Sequence, residues 1–192
     1  MTTTTASHAA TAADASSEAR ARHASTAAPR SADDLARMDV HALDALYRKG
    51  TVPVLDELAG TPRGRMLTLV GPLGRARPAE LLRRFAASRA FPWEGKSFST
   101  RSGGMDPVGK GINRVKLVGD LFPFDTFVGT SAIDGAPAVI LDYDKPSNPW
   151  PIRQIHDELR QVATGLYLGP AMWKAKRGPK LVLFFAIDKT AS

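Results

Sequence analysis

The chain has no cysteine, which excludes disulfides and thiolate metal centres and any dependence on an oxidising compartment. It also has no apolar run near the ~20 residues that a membrane-spanning helix needs. The N-terminus lacks the apolar core of a secretory signal, so a cytoplasmic location is expected. From Met1 to Arg30 there is no Leu, Ile, Val, Phe, Trp or Tyr. Such a segment buries too little apolar surface to offset the entropy of ordering it, and a disordered tail over 1–30 is expected.

Acidic side chains are in deficit as well. Lys and Arg number 26 against 19 Asp and Glu, a net charge of +7. A basic excess suits nucleic acid or an anionic membrane surface, but a basic surface that keeps the protein in solution is the plainer reading. The runs RGR, GRARP, LLRR and KAKRGPK lack the interleaved aromatics that stack bases, so nucleic acid is not expected as a partner. Signatures of serine proteases, kinases, dinucleotide-binding proteins and zinc sites are missing too, and neither a cofactor nor a metal is expected.

What is present is a core and many turns. Hydrophobic residues make up 43% of the 192, enough for a globular interior, while 16 Gly and 14 Pro argue against a helix bundle. Residues 31–192 read as a single domain with a helical lead-in. Ser31 can cap a helix with Asp33 and Asp34 in its first turn, where the helix dipole favours negative charge. Leu35, Met38, Ala42, Leu43 and Leu46 then recur at helical spacing, and Gly50 ends the helix as a left-handed terminal residue. Pro53 opens a second short helix, VLDEL, ended by Gly60. A third is expected over Pro78 to Ala87, with proline near its first position.

The remainder reads as strands. Gly64 to Leu73 is one and Trp93 to Thr100 another, with Trp93, Gly95 and Ser97 on one side and Lys96 and Phe98 on the other. Ser102 to Gly111 is a glycine-rich loop. INRVKLVG, FDTFVGTSAI, APAVILDYD, ELRQV, GLYLG and KLVLFFAID follow at short spacing, mostly bounded by Gly, Pro or Asp. Asp134-Gly135 is the best hairpin cue, suited to a type I′ turn, and Ala163 to Gly165 is a second. KAKRGPK is a charged turn between the last two strands. Many short strands without βαβ alternation point to a mainly β fold, an antiparallel barrel of about eight strands with short N-terminal helices.

The order of helical lead-in, G-x-x-x-G strand, W-x-G-K strand, hairpin and D-E-L-R…L-Y-L-G pair resembles the lipocalin-like (calycin-type) small barrels. It is most similar to a bacterial family of unknown function marked by a G-x-W-x-G motif. Gly60 and Gly64 stand where that signature lies, with Pro62 in place of its tryptophan. The resemblance covers roughly Ala42 to Ile187. It implies a pocket for a hydrophobic molecule and no reaction, with Trp93 closing the barrel floor in place of the missing tryptophan.

The chemically capable side chains gather between Ala136 and Trp173. His156 could act as a general base with a carboxylate fixing its tautomer. On a strand, however, His156 and Asp157 point to opposite faces, and they share a side only on a helix, where Arg153 and Arg160 would join them. Asp142 and Asp144 share one face of a strand end and Tyr143 takes the other. Asn113 and Arg114 follow the glycine-rich loop and are candidate polar anchors. Trp93, Phe98, Tyr143, Tyr167 and Trp173, and Trp150 with them, could wall a cavity or simply fill a core. The expected function is therefore binding of a small hydrophobic molecule, with Trp93, Phe98, Asn113, Tyr143, Tyr167 and Trp173 at the ligand. The alternative is a cofactor-free cyclase, isomerase or hydrolase in the same cavity, with His156 or Asp142 moving the proton and Arg114 or Tyr143 steadying negative charge.

Overall fold

The first helix predicted from the apolar spacing is two helices in the computed structural model, which describes residues 28–70, 93–100, 109–115 and 119–190. Helix α1 spans Ala32–Leu35, with Ser31 accepting from the Asp34 N–H as expected. It stops because Asp39 caps a separate helix α2, Val40–Lys49, by accepting from the Ala42 N–H. An aspartate in mid-pattern competes for backbone donors, and here it wins. Gly50 does follow α2, but its φ of −66° and ψ of 155° are extended and not left-handed. A glycine is needed there for another reason: a Cβ would lie 2.9 Å from Arg160 Cβ and 3.0 Å from the Gln161 carbonyl. Helix α3 (Leu55–Leu58) realises the VLDEL prediction. The helix expected over Pro78 to Ala87 lies outside the described residues, as does most of the 1–30 segment.

Eight antiparallel strands follow and close on themselves in chain order. They are β1 (Arg63–Leu69), β2 (Trp93–Thr100), β3 (Gly109–Val115), β4 (Gly119–Thr130), β5 (Pro137–Asp142), β6 (Ile155–Ala163), β7 (Leu166–Trp173) and β8 (Lys180–Asp188). A four-residue helix, α4 (Trp150–Arg153), precedes β6. The seam is the β1–β8 pairing, from Arg63 opposite Asp188 to Leu69 opposite Leu183. Closure gives every strand of the barrel two neighbours.

Two readings of local sequence are corrected. The glycine-rich stretch is strand from Gly109 onward. Gly109 and Gly111 leave no room for a side chain: a Cβ on Gly111 would come within 2.3 Å of the Phe124 ring, and one on Gly109 within 2.3 Å of Thr126 Oγ1. Asp134-Gly135 lies within a longer turn between Thr130 and Pro137, closed by Ser131 N–H to Ala136 O (2.9 Å) and Gly135 N–H to Ser131 O (2.9 Å). By contrast, Thr164-Gly165 is the tight link expected between β6 and β7, with Gly165 at φ +68°.

The barrel carries two apolar clusters, one on each face of its wall. Inside lie Phe98, Phe124, Val139, Leu141, Tyr143, Leu159, Tyr167, Phe185 and Ile187, with Leu55 and Leu58 of α3 plugging one end. Lys189 holds that plug by donating to the Ala59 carbonyl (3.0 Å) beyond the last turn of α3. Outside, Leu35, Leu43 and Tyr47 of α1 and α2 cover Leu166, Leu168, Phe184 and Ala186. Strands β7 and β8 are thus buried on both faces, which is why GLYLG and KLVLFFAID read as continuous apolar runs rather than alternating ones. Leu43 and Tyr47 are fully buried, and at about 1.5–3 kcal/mol for each such side chain they suffice to dock α2.

Candidate functional site

The interior also holds charge. Six strands deliver side chains to one point: Trp93 and Lys96 from β2, Asn113 from β3, Phe124 from β4, Tyr143 just past the end of β5, Asp157 from β6 and Phe185 from β8. Lys96 Nζ donates to Asn113 Oδ1 (2.9 Å) and to Asp157 Oδ2 (3.0 Å), and it also bonds the Tyr143 hydroxyl. Tyr143 donates in turn to Asp157 Oδ2 (2.9 Å), and the Trp93 indole N–H donates to Asn113 Oδ1 (3.2 Å). Four rings surround the ammonium: Phe124, Tyr143 and Phe185 with centroids at 5.1 Å and Trp93 at 5.4 Å. Lys96 is 3% exposed and Asp157 4%.

A backbone irregularity makes this convergence possible. The β2–β3 register shifts between Trp93 and Gly95, a bulge that turns Trp93 inward alongside Lys96. The alternation expected for this strand, which put them on opposite sides, is corrected on that account. Gly64 leaves room for the indole, since a Cβ there would meet the Trp93 ring at 2.6 Å and Gly95 Cα at 2.4 Å. A second irregularity lies opposite. Phe122 has φ +57°, a left-handed conformation that costs a non-glycine residue about 1–2 kcal/mol. Its carbonyl is held by the Asn113 amide (3.2 Å), so one asparagine both orients the lysine and secures a strained turn of chain.

The electrostatics of the cluster follow from its burial. Removal from water pulls the Lys96 ammonium below its ordinary range, against the opposing pull of the Asp157 charge. Burial and that same carboxylate push the Tyr143 phenol well above 10.0, so it keeps its proton at neutral pH. Asp157 Oδ1 is buried and has no hydrogen-bond partner among the described residues, whereas buried acceptors are normally paired.

Of the residues singled out from sequence, the structure brings Trp93, Phe98, Asn113, Tyr143 and Tyr167 into this interior. It does not bring His156, Asp142, Arg114 or Trp173 there. Residues 155–163 form a strand, so His156 points away from Asp157 to the outer face, where its Nε2 meets Glu158 Oε1 at 3.0 Å. Asp142 lies opposite His156 in the β5–β6 register and pairs with Lys174 (3.1 Å). Arg114 alternates with the inward Asn113 and donates to the Thr61 and Pro62 carbonyls, both at 3.0 Å. Trp173 is 37% exposed and stacks edge-on with Trp150, itself 67% exposed.

The outer face has its own buried polar group, and it is fully satisfied. Glu158 accepts from Tyr47 (2.6 Å), Ser131 (2.5 Å) and the Ala132 N–H (2.6 Å) as well as from His156. Burial alone would raise its carboxyl, but these bonds outweigh it and hold the group below its ordinary 4.5. Asp134, gripped by Arg160, is pulled from 3.8 to about 2. Both shifts are downward, so the unfolded chain binds more protons at acid pH. Their contribution to stability is complete above the unfolded values and is lost as pH falls through the folded ones. A urea titration should therefore show stability declining as pH drops below about 4.5 toward 2. In Glu158→Gln that decline should be shallower; an unchanged slope would remove Glu158 from the account.

Among the described residues no three of His, Asp and Glu converge as a metal site requires. No helix of the described residues is long and apolar enough to cross a membrane. No family model matches the chain, and no curated protein does. A crystal structure of a protein from Thermomonospora curvata is similar at 19% identity and a TM-score of 0.43, covering 79% of this chain and 87% of that one.

Proposed function

We propose that the barrel binds a small, mainly hydrophobic molecule whose one polar group is received by the Lys96–Asn113–Tyr143–Asp157 cluster. The observation that carries this reading is Asp157 Oδ1, a buried acceptor without a hydrogen-bond partner among the described residues, on the carboxylate that pairs with the ring-enclosed Lys96 ammonium. Small-molecule sites are mostly apolar with a few placed polar groups, and this interior has that composition. Lipocalin-like barrels use their interior in this way, and the resemblance noted from sequence points in the same direction. The alternative of a cofactor-free enzyme draws support from Tyr143 alone, which lies in the interior, since His156, Asp142 and Arg114 lie on the outer face.

Cinnamyl alcohol is a suitable probe, an aromatic body with a single hydroxyl donor. In a Trp150→Phe, Trp173→Phe background the remaining tryptophan, Trp93, should be quenched saturably by it. Cinnamyl methyl ether, which cannot donate, should bind about tenfold or more weakly, since a hydrogen bond to a charged group contributes ~1.5–3 kcal/mol. Quenching that rises linearly with both compounds, without saturation, would end this reading.

A further inference from the structure

We propose that Lys96 is a covalent anchor, its amine condensing with the carbonyl of an aldehyde or ketone ligand to form an imine inside the barrel. This rests on the binding function proposed above and narrows its ligand to a carbonyl compound. Among the described lysines Lys96 is the one that is buried, and three features of its surroundings suit condensation.

First, the rings of Trp93, Phe124, Tyr143 and Phe185 enclose Nζ. An apolar wall favours the neutral, nucleophilic amine over the ammonium and excludes the water that reverses imine formation. The lowered basicity of Lys96 is in keeping with that wall. Second, Tyr143 retains its proton and lies within hydrogen-bond reach of Nζ, so it can donate to a carbonyl oxygen brought to that nitrogen. Third, Asp157 is placed to handle both protons and charge. Its Oδ2 sits 3.0 Å from Nζ, and its Oδ1 has no hydrogen-bond partner among the described residues.

The step balances without any further reagent. Asp157 takes one proton from the Lys96 ammonium, leaving the neutral amine. The nitrogen lone pair then adds to the carbonyl carbon while the C=O π pair moves to oxygen, which is protonated through Tyr143. Nitrogen loses a proton and Tyr143 recovers its own, giving the neutral carbinolamine. Its hydroxyl takes the proton held by Asp157 and leaves as water, and the nitrogen lone pair forms the C=N bond. The products are the protonated imine and one water, from one ammonium and one carbonyl. The iminium cation occupies the former position of the ammonium and keeps Asp157 as its counter-charge.

The test uses cinnamaldehyde with sodium borohydride, which reduces an imine to a stable amine, followed by intact mass and peptide mapping. The full chain should acquire one cinnamyl group at neutral pH, mapped to the peptide containing Lys96. Lys96→Met should lose that adduct, and Lys96→Arg should lose it too while retaining the charge. Because mapping is done on the wild-type chain, the outcome does not depend on either variant folding. Adducts spread over surface lysines, with Lys96 unmodified, would overturn the proposal. If Trp93 is also quenched saturably by cinnamyl alcohol, the failure belongs to the covalent step alone; if it is not, the pocket fails with it.

Discussion

Replacing Asp157 with alanine should destabilise the folded barrel by about 3–5 kcal/mol, read as a fall in the urea midpoint at constant slope. The loss comes from what remains. Lys96 would keep its Asn113 and Tyr143 contacts but lose the Asp157 charge that offsets the desolvation of its ammonium. Its burial, now unopposed, should drive the amine further toward its neutral form. In the variant, stability should therefore rise with pH between the folded value of Lys96 and the ordinary 10.5, where the unfolded chain binds the extra proton. Removing both partners separates the pair from its desolvation. Lys96→Met with Asp157→Leu should recover most of the lost stability, since packed apolar groups commonly match a buried ion pair or better it by ~1–4 kcal/mol. A double variant no more stable than Asp157→Ala would show that the interior depends on these groups for more than mutual neutralisation.

Arg160→Ala should cost about 3 kcal/mol or more, because it strips a buried cation from several partners at once. The guanidinium, on a residue 1% exposed, grips both oxygens of Asp134 at 2.7 Å. It also donates to the carbonyls of Tyr47 (3.3 Å), Ala136 (3.0 Å) and Pro137 (3.0 Å), and it lies 4.5 Å from the Tyr47 ring centroid. It thereby ties α2, β6 and the β4–β5 turn together. Lysine offers a point charge without the planar fork, so Arg160→Lys should restore little. Thermal or urea unfolding checks both variants. A loss within ~0.5 kcal/mol, as at an ordinary surface position, would mean that Arg160 is not what holds the turn.

These two residues show where the sequence was legible and where it was not. The strands could be read because Gly, Pro and Asp punctuate them, and the tight Thr164-Gly165 link is local chemistry. Lys96 and Asp157 escaped as a pair. A lysine on an alternating strand looks solvent-facing, and its partner stands 61 residues away, on a strand brought alongside only by closure of the barrel. The signal available was parity. Lys96 is two residues before the apolar Phe98, and Asp157 two before the apolar Leu159, so both belong to inward positions of β2 and β6. Trp93 broke that parity through a bulge whose only local mark is Gly95, at φ +137°. His156 drew attention because histidine chemistry is conspicuous, yet the same alternation sends it outward once residues 155–163 are known to be strand.

The β1–β8 seam bears on how such a chain is made. The strand synthesised first among the eight pairs with the one synthesised last, so without β8 the sheet has two open edges and its apolar interior is unsealed. Helix α1 is bound to the same late event, because the Ala32 N–H is received by Asp188 at the very end of β8 (3.0 Å). Acquisition of the native state is therefore governed by contacts of great sequence separation. A chain stalled before β8 is a natural client for chaperones, or a seed for strand exchange between neighbours.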